Sequence, residues 1–163
     1  MAKKMLIVYY SISNGNTRRI AEQMQRATGA DIAEIETVEP YTGSYNDIVD
    51  QGQREVNRGY KPAIRPLGVN PEDYDTIAVG TPTWWYTMAP AVLTFLMSHN
   101  WQDKTVIPFM TDGGWPGHVI EDIKKSCPGA TFENEMEIRF DSTGGADMVT
   151  PEADVAAWIE RLK

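Results

Sequence analysis

The chain of 163 residues holds one cysteine, Cys127, which excludes an internal disulfide and a cysteine-ligated metal cluster. Its two histidines, His99 and His118, have no partners at ligand spacing, so no metal site is expected. Long apolar runs are lacking too: nothing approaches the ~20 residues of a membrane span. The opening MAKKMLIVYYS is basic and then apolar, but the apolar part runs only from Met5 to Tyr10 and no small-residue cleavage site follows. Positive charge is scarce, with 15 Lys and Arg against 23 Asp and Glu, a net charge of −8 and a pI near 4.7. A nucleic-acid backbone needs a basic face, so nucleic acid is excluded as a partner. Acidity keeps a small protein soluble and admits a protein partner with a basic surface. A single cytoplasmic domain over residues 1–163 is expected, long enough to bury a sizeable core.

Within that frame, apolar and β-branched runs recur at Lys4–Tyr10, Ile32–Val38, Thr76–Thr81, Thr105–Met110 and Thr131–Phe140. Segments with helical spacing separate them: Thr17–Thr28, Tyr45–Arg58, Pro90–Met97, His118–Cys127 and Thr150–Leu162. In the last of these, Thr150 reads as the cap and Pro151 as the first helical residue. Strand and helix alternate throughout, which predicts an α/β fold, a parallel sheet with helices on both faces. The nearly all-apolar strands fit burial on both sides. In such a sheet, ligands lie outside the carboxyl ends of the strands.

Three loops at those ends are the chain's most unusual stretches. The first, YYSISNGNTRR (9–19), packs short hydroxyl and amide side chains around Gly15, just before a helix whose first N–H groups are free. It has neither the lysine of a nucleotide-triphosphatase loop nor the three glycines of a dinucleotide loop. Neutral donors of this kind suit a terminal monophosphate, and a plain capped turn is the rival reading. The second, GTPTWWYTMAP (80–90), sets Trp84, Trp85 and Tyr86 in a row, and three consecutive aromatics cannot all point into a core. Exposed indoles there suit stacking on a flat ring system. The third, TDGGWPG (111–117), lets backbone groups approach a ligand edge through Gly113 and Gly114.

Taken together, these stretches resemble the flavodoxin family over essentially the whole chain. The resemblance implies a three-layer α/β/α sandwich, a five-stranded parallel sheet in the order 2-1-3-4-5, and bound FMN. SISNGNT is similar to the family's phosphate loop with one extra residue, so Ser11, Ser13, Asn14, Gly15, Asn16 and Thr17 would hold the phosphate. PTWW looks like the loop carrying the stacking tryptophan, which puts Pro82, Thr83, Trp84 and Trp85 against the isoalloxazine. TDGGW is similar to the third loop, adding Thr111, Asp112, Gly113 and Gly114. The implied activity is low-potential electron transfer with redox proteins of basic surface. The alternative is an FMN-dependent NAD(P)H oxidoreductase acting on quinones, for which Arg18, Arg19, Arg65 or His118 would meet the nicotinamide-cofactor phosphates.

Overall fold

The computed structural model describes residues 5–12, 15–143 and 145–163. Its sheet starts with β1 (Met5–Tyr9), flanked by β2 (Asp31–Glu34) and β3 (Thr76–Trp84), with β5 (Thr105–Asp112) beyond β3. All of these pair in parallel. β4 (Thr87–Met88) folds back antiparallel on the end of β3. The outer edge is shared by β6 (Thr131–Phe132) and β7 (Met136–Arg139), both parallel to β5. The expected order holds, but among the described residues the sheet has seven strands where five were expected.

The edge splits for a local reason. Val106 pairs with Phe132 and Phe109 with Met136, so two residues of β5 face three of the edge. Pro108 lies in that gap and has no N–H to offer. The surplus is taken up at Asn134, with φ 54°, whose carbonyl accepts the Trp158 indole N–H at 2.5 Å. β2 is also shorter than its apolar run: beyond Glu34, Thr37 makes only an isolated bridge to Ile64.

Strand residues alternate between two cores. Leu6, Val8, Ile77, Val79 and Val106 face α3 (Pro90–Met97) and α4 (Val119–Lys125), where Phe95, Leu96 and Ile123 are buried. Ile7, Ala78, Ile107 and Phe109 face α1 (Asn16–Thr28) and α5 (Glu152–Glu160), meeting Ile20, Met24 and Trp158. α2 (Tyr45–Arg58) lies beside α3 and completes the three layers. It starts with a capping box: the Ser44 hydroxyl accepts the Asp47 N–H at 3.1 Å, and the Asp47 carboxylate accepts the Ser44 N–H at 3.0 Å. Thr150 does not cap α5. Its hydroxyl accepts the Arg139 N–H at 2.7 Å and ties the helix approach to the edge strand, leaving Pro151 at the cap position. Among the described residues no helix is long and apolar enough to cross a membrane. Cys127 is buried, and burial pushes its thiol up to about 12, far from nucleophilic ionisation.

Candidate functional site

At the carboxyl edge of the sheet lies a cavity of about 330 Å³. One end is the start of α1. Gly15 is its cap residue with φ 72° and has no side chain to cap with; Ser11 accepts only the third helical N–H, that of Arg18. The N–H groups of Asn16 and Thr17 and the positive dipole end therefore stand at the cavity, which both residues line. Asn16 is held by a bond from its side-chain amide to the Gly145 carbonyl at 3.1 Å. The buried Thr17 hydroxyl bonds that of Thr111 at 2.7 Å, which locks the first loop to the third. Ser11 does not line the cavity; its hydroxyl accepts the Arg18 N–H at 3.2 Å and braces the turn.

The other end is aromatic. Trp84 stands half-buried over Gly52 of α2, where an added Cβ would lie 3.0 Å from the indole. Tyr41 and Tyr10 hold its ring edge-on, with centroids 5.0 and 6.0 Å away. The Tyr41 hydroxyl donates to the buried Glu55 at 2.6 Å, and burial raises both tyrosine pKa values. Trp84 is thus a fixed wall. Trp85 and Trp115 are more open, 38% and 59% exposed, and both line the cavity. The Trp85 indole N–H donates to the Val49 carbonyl at 2.9 Å, setting its ring against α2.

Trp85 and Tyr86 are the two central residues of the β3–β4 hairpin, with φ of 49° and 70°. Two-residue hairpins normally use Asn-Gly here, and bulky residues in this region cost on the order of 1–3 kcal/mol each. The sequence keeps aromatic surface at the expense of backbone strain. Tyr86→Gly should therefore raise the melting temperature by about 3 °C, measurable by calorimetry of the protein without ligand.

Two buried polar atoms in this end have no protein partner: Thr83 Oγ1 and Asp112 Oδ2. Both residues line the main cavity and an adjoining one of about 230 Å³ bounded by Trp85, Tyr86 and Trp115. Desolvation, first, and then the Glu137 carboxyl push Asp112 up to about 7. An unpaired buried hydroxyl and acid are costly to the fold.

Nine residues expected at the site therefore meet at one cavity: Asn16, Thr17, Pro82, Thr83, Trp84, Trp85, Thr111, Asp112 and Gly113. Gly15 and Gly114 support it from behind, Gly114 through its N–H to Asp112 Oδ1 at 2.7 Å. Ser13 and Asn14 lie outside the described residues. Two contributors had no place in the sequence reading. α2 brings Tyr45, Ile48 and Val49, and the segment after β7 brings Phe140, Asp141, Ser142 and Gly145. The Asp141 carboxylate organises that segment, accepting the N–H groups of Thr143, Gly145 and Asp147 and the Thr143 hydroxyl; these bonds hold its pKa below the usual range.

A family profile described as Flavodoxin matches residues 4–161. The chain belongs to the flavodoxin family. Among solved structures, it is similar to a Bacteroides eggerthii protein described as a flavoprotein, at 30% identity, 98% coverage of both chains and a TM-score of 0.77. A Lactobacillus acidophilus flavoprotein solved in complex with FMN is 24% identical over 83% of this chain and 93% of its own, with a TM-score of 0.70. A WrbA-like flavodoxin of Agrobacterium tumefaciens, 17% identical over 97% and 91% of the two chains, has a TM-score of 0.61 and shares the fold. A search of curated protein sequences found no match to the chain. In this flavodoxin-family member the exposed aromatic lining of the cavity lies on a strained hairpin and on Trp115.

Proposed function

We propose that the protein binds FMN in this cavity and passes electrons, at low potential, to redox proteins with a basic surface. The observation that carries the reading is the pairing of two unlike ends in one cavity: a helix start at Asn16 and Thr17 suited to a phosphate, and an aromatic end bordered by Thr83, Asp112 and Gly113 suited to a polar-edged ring. FMN supplies reversible electron uptake when bound. Asn16, Thr17 and the first-turn N–H groups of α1 hold the phosphate. Trp85 and Trp115 cover the ring, while Thr83, Asp112 and Gly113 meet its polar edge. Indole walls and a net charge of −8 disfavour further negative charge on the ligand, which favours a low potential.

The rival reading is an NAD(P)H oxidoreductase. Three of the four cations considered for it, all but Arg65, have partners elsewhere. Arg18 donates to Glu34 at 2.5 Å, Arg19 to the Ala146 carbonyl at 3.3 Å, and His118 pairs with Asp122. On mixing anaerobically with excess NADPH, the FMN-loaded protein should keep its colour unless a separate reductase is added. Rapid bleaching by NADPH alone would transfer the assignment to the oxidoreductase.

A further inference from the structure

A second cavity, of about 310 Å³, lies among α2, β4, α3 and α4 and shares no lining residue with the first. That size falls at the lower end of the ~300–1,000 Å³ of small-molecule sites. Its interior is apolar: Val56 from α2, Met88 from β4, and Pro90 and Leu93 from α3. Val56 and Leu93 are only half-buried, so their apolar surface is left to the cavity rather than covered by another side chain. The remaining wall comes from α4, where positions 118, 122 and 125 follow at intervals of four and three and so stand on one face.

The charges on these walls are unevenly matched. Both acids that line the cavity already hold donors. The buried Glu55 accepts the Tyr41 hydroxyl on Oε1 at 2.6 Å and the Gln51 amide on Oε2 at 2.9 Å. Asp122 Oδ2 accepts the Thr87 hydroxyl at 2.5 Å and also bonds Nδ1 of His118. The cations have no acid. Lys125 lines the cavity from α4 and is exposed. Arg58, in the last turn of α2, stands 5.1 Å over the ring of Tyr60, which lines the cavity from that side. Among the described residues neither Lys125 nor Arg58 makes an ion pair. On a chain of net charge −8, an apolar cleft flanked by two unmatched cations runs against the average surface.

We propose that this cleft is a second ligand site, for a small organic carboxylate with an apolar body. The body lies against Val56, Met88, Pro90 and Leu93, and the carboxylate meets Lys125, with Arg58 adding to the positive field from the other side. A cationic ligand would face both cations with no acid free to receive it, and an uncharged one would leave Lys125 unused. The apolar surface is sunk between packed elements rather than spread on an open face, which suits a small molecule and not a folded protein partner. The site is separate from the FMN reading and does not depend on it.

The probe is phenylacetate, compared with phenylacetamide (the same body without charge), phenethylamine (the cation) and acetate (the head without the body). In ¹³C-methyl and ¹⁵N NMR titrations of the purified full chain, phenylacetate should move the methyl signals of Val56, Met88 and Leu93 together with the Lys125 amide. The shifts should saturate with a Kd of about 1 mM or below. Phenylacetamide should bind at least about fivefold more weakly, and phenethylamine and acetate should leave the methyl signals unmoved up to about 20 mM. Lys125→Glu, a change at an exposed position, should weaken phenylacetate at least about fivefold and leave phenylacetamide unchanged. Equal affinity for the acid and the amide, a Lys125→Glu protein that binds phenylacetate normally, or shifts that never saturate would overturn the proposal. Saturable shifts confined to Asn16, Thr17 and Trp85 would overturn it too, by placing the probe in the first cavity. No arm reads flavin binding, so failure here is distinct from failure of the FMN reading.

Discussion

Replacing Gly117 by alanine should destabilise the protein by about 3 kcal/mol or more and abolish ligand binding with it. Gly117 has φ 57°, and an added Cβ would lie 2.2 Å from the Tyr86 carbonyl oxygen and 2.4 Å from its Cα. Both obstacles are backbone, so no side-chain rotation relieves them. The contact also matters to the site. His118 donates its N–H to that same Tyr86 carbonyl at 2.8 Å, which pins the strained hairpin to the segment following Trp115. Pushing the two apart separates the aromatic walls contributed by Trp85 and Trp115. Urea unfolding monitored by circular dichroism reads the stability, and fluorescence titration reads the binding. Gly114→Ala is the useful contrast: φ is 114° there, but no atom lies within 4 Å of the added Cβ, so strain acts without the clash.

The second large effect concerns the phosphate. Riboflavin should bind at least about a hundredfold more weakly than FMN, because the start of α1 offers a phosphate two or more charge-assisted bonds together with the dipole end. No lysine stands in the first loop, so the preference should survive moderate salt better than a lysine-held phosphate would. Thr17→Val separates two roles of one residue. The Thr17 hydroxyl is already bonded to Thr111, so the change costs fold stability through the unpaired Thr111, while the backbone N–H groups at the helix start remain. Equal affinity for riboflavin and FMN would remove the phosphate assignment and leave the ring end alone.

Much of this organisation was legible in the sequence for physical reasons. Strands buried on both faces must be apolar along their length, and MLIVYY, TIAVG and TVIPFM show it. Parallel connection then placed the loops after β1, β3 and β5 at one edge. What stayed hidden depends on packing between distant segments. Ile48 and Val49 look like an ordinary helix face, and only the docking of α2 over Trp85 turns them into cavity lining. The 140–145 segment reads as a polar turn, and its place beside Asn16 comes from the Asn16 bond to Gly145. The split edge strand follows from Pro108 on the neighbouring strand, which a scan of Thr131–Phe140 by itself does not see. Positive φ at Trp85 and Tyr86 breaks the usual turn preference, and strain of that kind is tolerated where function uses it.

The most direct test of the central claim is a ¹⁵N NMR titration of the purified protein with FMN. Saturation at one FMN per chain should shift two separate groups of signals together: the backbone amides of Asn16, Thr17 and Arg18 at the start of α1, and the indole N–H groups of Trp85 and Trp115. A titration that leaves both groups unmoved, or that shifts only residues around His118 and Tyr60 in the cleft beside α4, would contradict it.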